Sequence, residues 1–288
     1  MKVSIIFPVK NEGENLKNTL DSLFAQKTNY TLEVIVINDA SEDHCCDFLA
    51  NYNKNDEVTL IQTEGIGAAN ARNLGAAHAS GDYLVFCDAH LKFQDWWIDH
   101  LLEPLLSGLS DAVSPAIGAF DNDQFFGYGQ SLNPNFTIKW NTIKDEISEV
   151  AILPGACLAI SMNVFKNVGG FEKGFKTWGH EDVEFSIKLW LFGYQCHVVP
   201  TVKILHLFRN QHPYKVQYSD FYYNILKLAY SHFNLERIQQ CRKLIIHSRV
   251  REIEGLVLED GALEQRRDYF QRRKKSDDWY FQRFGINF

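Results

Sequence analysis

The chain has 288 residues, with 29 Lys and Arg against 36 Asp and Glu, a formal net charge of −7. Apolar residues make up 45% and charged residues 23%, a balance that excludes disorder over most of the length. The acidic total argues against a nucleic-acid binder, and the length fits one large domain or two. No stretch approaches the roughly 18 consecutive apolar residues that a membrane span needs. The N-terminal Met1–Pro8 run lacks the features of a secretory signal and reads as a buried strand. Six cysteines (Cys45, Cys46, Cys87, Cys157, Cys196 and Cys241) are scattered without a C-x-x-C pair. They read as reduced thiols in a cytoplasmic protein.

In chain order, Val3–Val9 is an apolar run consistent with a strand. Asn11 and Glu14 have the spacing of a capping box, ahead of a helical stripe of Leu16, Leu20, Leu23 and Phe24. Glu33–Asn38 reads as a second strand, and Asp39-Ala40-Ser41 as the start of a helix carrying Phe48, Leu49 and Tyr52. Val58–Gln62 is a third strand. Gly67–Ser80, rich in Ala and Gly, fits a helix lying close on a sheet, and Asp82–Cys87 is a fourth strand. Alternating strands and helices imply a mainly parallel sheet covered on both faces. Ligands of such sheets bind beyond the carboxyl ends of the strands. That directs attention to Asn11, Asp39, Gly65–Gly67 and Asp88-Ala89-His90.

The second half is less regular. Ala112–Ala119, Gly155–Ser161, Cys196–Val199 and Val202–His206 read as strands, the last two separated around Pro200. Val183, Ile187, Trp190 and Leu191 make a helical stripe closed by Gly193. Residues 121–150 lack periodicity and read as a long functional loop. The chain divides into 1–214, an α/β unit, and 215–288, a helical extension packed on it. The extension carries a basic run, Arg266, Arg267, Arg272, Arg273, Lys274 and Lys275. That run is either a solvated helix face or a docking surface for an acidic acceptor or an anionic lipid headgroup.

Four groups of residues could carry chemistry. Asp88 and His90, two apart at a strand end, are either a solvated loop pair or two ligands of one divalent cation; mixed oxygen and nitrogen donors suit Mn²⁺. His206, at another strand end, is by itself a satisfied core histidine or a ligand. Glu181 and Asp182 begin a helix, where the dipole favours anions, and either could take a proton from an acceptor. Arg209, with His212 and Tyr214, forms either a polar turn or a set of donors for a pyrophosphate.

Six segments together resemble a known family. They are SIIFPVKNE (4–12), VIVINDAS (34–41), GIGAANARNLGAAHASGDYLVFCDAH (65–90), LPGACLAISMNVFKNVGGFE (153–172), WGHEDVEFSIKLW (178–190) and HLFRNQHPY (206–214). Their order resembles family-2-type glycosyltransferases of the GT-A fold, above all the catalytic domain of the polypeptide N-acetylgalactosaminyltransferases. The resemblance implies a metal-dependent enzyme moving a sugar from a UDP-sugar to an acceptor, with a peptide or protein side chain as the favoured acceptor. It implies that Pro8, Asn11 and Glu12 border the nucleotide, that Asp39 reads the uracil ring and that Arg72 supports nucleotide and sugar. Asp88, His90 and His206 would hold Mn²⁺ or Mg²⁺. Arg209, His212 and Tyr214 would fold over the pyrophosphate, and Trp178 and Glu181 would flank the donor sugar and acceptor.

Two positions depart from the animal pattern, which has Gly and Asn where this chain has His180 and Asp182. Asp182 is similar to the carboxylate base of inverting family-2 enzymes, whereas the animal enzymes retain configuration. The animal enzymes also carry a membrane anchor and a lectin domain, which fits this chain to a bacterial-like cytoplasmic enzyme with peripheral membrane contact at most. Other readings are transfer to a polysaccharide or lipid-linked acceptor, and a non-catalytic nucleotide-sugar-binding module. A nucleotidyltransferase would place a Gly-rich basic loop after the first strand, where this chain has Pro8-Val9-Lys10-Asn11-Glu12.

Overall fold

The computed structural model describes residues 1–209, 211–245 and 249–288, apart from the side chains of residues 55 and 123. Residue 210 of the 206–214 segment and residues 246–248 of the C-terminal extension therefore lie outside the described residues. The first half runs β1 (Lys2–Val9), α1 (Asn15–Phe24), β2 (Thr31–Asp39), β3 (Val58–Thr63), α2 (Ala68–His78), β4 (Tyr83–Cys87), β5 (Leu91–Lys92) and α3 (Trp97–Leu106). Next come β6 (Ala112–Ala119), β7 (Asn122–Gly127), β8 (Gln130–Leu132), β9 (Ile138–Trp140), β10 (Ser148–Glu149) and β11 (Cys157–Ser161). Then follow α4 (Met162–Val168), α5 (Glu181–Leu191) and β12 (Cys196–His206). Beyond β12 the described residues form α6 (Tyr218–His232), α7 (Leu235–Leu244), α8 (Val250–Glu259), α9 (Ala262–Arg272) and α10 (Asp277–Arg283).

The sheet order is β10-β12-β6-β11-β4-β1-β2-β3. Strands β3, β2, β1 and β4 are parallel, β11 is antiparallel to β4 and β6, and β12 is parallel to β6. Alternation along β1 sorts its side chains between two cores. Val3, Ile5, Phe7 and Val9 pack with Leu16 and Leu20 of α1 and Leu101 of α3. Ile6 faces the other way, toward α2, α4 and α5. Helix α2 lies so close to β1 that a Cβ at Gly75 would stand 2.4 Å from Ile6 Cγ2, which accounts for its Gly and Ala content.

Several local expectations are corrected. Asn11 is not part of a capping box: its φ is +55°, its Oδ1 accepts from the Glu42 N–H at 2.8 Å and its Nδ2 donates to the Pro213 carbonyl at 3.1 Å. Helix α1 starts at Asn15 without a side-chain cap. No long helix follows Asp39 before β3, only short 3₁₀ segments at Asp47–Asn51 and Asn55–Glu57, and the Asp39 carboxylate is engaged by the 63–67 loop instead of capping a helix. The 121–150 region holds β7 to β10, strands of two to six residues, too short to show periodicity. Around Pro200 the chain forms one strand rather than two, β12, whose register against β6 shifts between Val199 and Lys203; the bulge accommodates a residue with no N–H.

The helices after β12 share the apolar core of α5, through Tyr223, Leu226, Phe233, Tyr280 and Phe281. A buried polar link joins the two parts: Glu184 of α5 accepts from Lys188 at 3.1 Å and pairs with His232 of α6 at 2.8 Å. Much of the basic run also serves packing. Arg266 donates to the carbonyls of Tyr230 and Phe233 at 3.0 and 2.6 Å, and Arg273 donates to that of His232 at 3.2 Å. Both guanidinium groups lie on the Phe270 ring. Arg266 thus fills carbonyls at the end of α6 that would otherwise go unmet. Arg266→Ala is expected to lower stability by about 1–3 kcal/mol, seen as a lower urea midpoint at an unchanged slope. A midpoint equal to wild type would place this residue outside the packing. No helix among the described residues is long and apolar enough to cross a membrane.

Candidate metal centre and nucleotide pocket

The site forms where β1, β2, β4 and β12 reach their carboxyl ends. Asp88 follows β4, and its N–H donates to the Ala156 carbonyl at 2.9 Å. His206 ends β12 and is paired in register with Leu91 of β5, while the Leu207 N–H donates to the His90 carbonyl at 3.1 Å. That short antiparallel pairing carries His206 to residues more than a hundred positions away in sequence. Asp88, His90 and His206 consequently form a cluster with one candidate ligand atom from each within 4.8 Å of the others. The two rings lie 4.6 Å apart between centroids, and His206 Nε2 is 3.3 Å from Asp88 Oδ2. His206 Nδ1 is buried without a partner among the described residues. One carboxylate and two imidazoles with unfilled capacity fit a borderline divalent ion such as Mn²⁺.

Arg72 of α2, 3% exposed, organises the floor. It donates to Asp88 Oδ1 and Glu181 Oε1 at 3.1 Å each and to the Gly155 carbonyl at 3.2 Å. Burial by itself would raise the Asp88 pKa, but the His206 hydrogen bond and the charges of His90 and Arg72 outweigh it and hold this carboxyl far below the usual range. Glu12, at the turn after β1, is buried too. Burial again acts upward, and the hydrogen bonds from His90 and Arg209 prevail, so its pKa is lowered. His90 Nδ1 lies 3.1 Å from Glu12 Oε2, and the Arg209 guanidinium contacts both Glu12 oxygens.

Glu181 and Asp182 differ sharply in surroundings. Glu181 is tied to Arg72 and accepts the Gly179 N–H at 2.9 Å. Among the described residues, Asp182 accepts from backbone N–H groups alone, those of Gly155 at 2.9 Å and Val183 at 2.8 Å. Burial and the neighbouring Glu181 charge push its pKa up to about 6. His180, before them at φ +64°, stacks on Phe136, and burial lowers its pKa to about 4.

These groups face one cavity of about 500 Å³. Pro8, Glu12, Asp39, Arg72, Asp88, His90, Trp178, Glu181, Asp182, His206, Arg209, His212 and Tyr214 all border it. Asn11 is not among the bordering residues; its Nδ2 donates to the carbonyl of Pro213, which is one of them. Asp39 accepts from the Thr63 hydroxyl and the N–H groups of Ile66 and Gly67, which leaves one of its four lone pairs for a ligand. Trp178 packs against His212, with ring centroids 4.3 Å apart. Gln130, Ile138, Trp140 and Phe208 also line the cavity. No motif marks the first three: they arrive through the β8–β9 pairing and the Gln130–Ile152 bridge. Phe208 has a signal in the sequence, an aromatic between His206 and Arg209.

A mostly parallel sheet with an acid–histidine–histidine cluster at its carboxyl edge defines a class before it defines a family. That class is the GT-A fold. A likeness to a crystal structure of GalNAc-T7 with UDP, GalNAc and Mn²⁺ has a TM-score of 0.77 at 20% identity and covers 99% of this chain and 56% of that one. A likeness to S. aureus TarS 1-349 in complex with UDP-GlcNAc has a TM-score of 0.61 at 16% identity, covering 99% and 93%. Residues 4–169 match the model for glycosyl transferase family 2, and the chain belongs to that family. Residues 144–213 also match the N-terminal domain of galactosyltransferase. Polypeptide N-acetylgalactosaminyltransferase 8 of Drosophila melanogaster is 30% identical over 235 residues, 76% of this chain and 40% of that protein. Polypeptide N-acetylgalactosaminyltransferase 3 of Mus musculus is 29% identical over 236 residues, 73% and 37%. The chain thus spans about two fifths of the length of these relatives.

Proposed function

We propose that this chain transfers a sugar from a UDP-sugar to a peptide or protein side chain in a reaction that needs Mn²⁺ or Mg²⁺. The observation that carries the reading is the Asp88, His90 and His206 cluster on the same cavity as a carboxyl raised to about 6. Asp88, His90 and His206 would hold a divalent ion, which would supply positive charge to a diphosphate leaving group. Arg209, His212 and Tyr214, which line the same cavity, add donors. Arg72 fixes Asp88 and Glu181 in one arrangement, so Glu181 serves as a positioning group. Asp182, held by backbone N–H groups rather than by an ion pair, takes the proton from the acceptor, and Trp178 offers an apolar face to a sugar ring. The peptide acceptor is supported by the names of the relatives, and the UDP donor by the ligands of the matched structures. The six buried free thiols support a reducing compartment such as the cytoplasm.

The test is release of UDP from a panel of UDP-sugars with Mn²⁺, with and without Ser/Thr-containing peptides. Release stimulated by peptide supports the reading. Stimulation by a glycan alone would reassign the acceptor, and no release from any donor would refute the activity. The same reading expects the backbone amides of residues 207–209, 211, 212 and 214 to gain hydrogen-exchange protection when UDP and Mn²⁺ are added together. Equal protection in both states would remove this segment from the ligand's closure.

A further inference from the structure

His90 and His206 sit in one cluster but are held differently. His206 Nδ1 has no partner among the described residues, whereas His90 Nδ1 lies 3.1 Å from Glu12 Oε2. Glu12 is 6% exposed and also receives the Arg209 guanidinium on both oxygens. A carboxylate beside a guanidinium accepts hydrogen bonds and does not donate them, so the ring proton of His90 belongs on Nδ1. The other ring nitrogen, Nε2, is then the lone-pair donor. A carboxylate behind a ligating imidazole fixes its tautomer and raises its basicity. Here the carboxylate is also shared: each contact Arg209 makes with Glu12 withdraws negative charge from His90 and keeps a positive charge near the cluster.

We infer that Glu12 is a positioning residue for the metal centre, setting the tautomer of His90 and making metal affinity depend on whether Arg209 stays on Glu12. The inference rests on the metal reading of Asp88, His90 and His206. It assigns Glu12 a role distinct from bordering the nucleotide. It also couples Arg209 to the ion through one named carboxylate.

The experiment is Mn²⁺ binding by electron paramagnetic resonance to the full chain without nucleotide, for wild type, Glu12→Gln, Arg209→Gln and the double variant. Glu12→Gln is expected to weaken Mn²⁺ binding by about 10–100-fold. Arg209→Gln is expected to tighten it by about threefold or more, and that gain disappears in the Glu12→Gln background. Wild type that binds Mn²⁺ while Glu12→Gln binds it equally well overturns the inference and spares the metal reading. An Arg209→Gln effect of the same size in both backgrounds also overturns it. Wild type that binds no Mn²⁺ overturns the metal reading and the inference together. Nitrogen NMR of His90 in the metal-free wild type needs no variant: a proton on Nδ1 is the expected result, and a proton on Nε2 contradicts it.

Discussion

Turnover by His206→Ala is expected to fall by about 10²-fold or more at micromolar Mn²⁺ and to recover in part as Mn²⁺ is raised. The expectation follows from where the side chain sits. His206 closes β12, and its backbone, not its ring, makes the pairing with Leu91 and Ala119. The ring touches Asp88, His90 and Phe208. Removing it takes away one donor and leaves the strand in place, so the folded state persists. Asp88→Asn is a less clean probe. Arg72 is buried with Asp88 and Glu181 as its carboxylate partners, and neutralising one leaves part of a buried guanidinium uncompensated. Comparing the two variants separates loss of a metal donor from loss of the floor. A His206→Ala protein with wild-type turnover at all Mn²⁺ concentrations would remove this residue from the ligand set.

Asp182→Asn is expected to lower turnover by about 10²–10⁴-fold with little change in UDP binding. The carboxyl of Asp182 is pushed up to about 6 because burial and the adjacent Glu181 disfavour its charged form, against the N–H groups of Gly155 and Val183. A base must be ionised to act, so the wild-type rate should rise with pH through about 6 and level off above it. The variant should be slow and lack that rise. Stability runs the other way. A carboxyl whose folded pKa is raised makes the fold less stable as pH climbs from the ordinary value of 3.8 toward about 6, so the variant should lose less stability over that interval. A product of inverted configuration fits a base at this position. A retained configuration, or a wild-type rate in Asp182→Asn, would assign the proton elsewhere.

The sequence is legible where chemistry coincides with local pattern. The apolar runs of β1, β2 and β4 and the small residues of α2 follow directly from burial on two faces of a sheet, and they lead to Asp88 and His90 as residues at a strand end. His206 needed more than pattern, because an isolated histidine in an apolar run looks like core; only the β12–β5 pairing brings it to Asp88. What could not be read is set by long-range contacts. Asn11 has capping-box spacing, yet its side chain joins residues 42 and 213. Asp39 looks like a helix start, yet the 63–67 loop takes its carboxylate. The residue before helix α3, Trp96, lies in the left-handed region and supplies no capping side chain, so no start signal marks the helix. The contrast between Glu181 and Asp182 is equally invisible in sequence, since it depends on Arg72, 109 positions from Glu181.

Calorimetric titration of UDP into the full chain, once with Mn²⁺ and once with EDTA, tests the central claim most directly. The claim is that this cavity holds a nucleotide diphosphate together with a divalent ion at Asp88, His90 and His206. The result expected is binding with Mn²⁺, its loss in EDTA, and weak binding with Mn²⁺ for His206→Ala. UDP binding of the same strength in EDTA, or in His206→Ala, would contradict it.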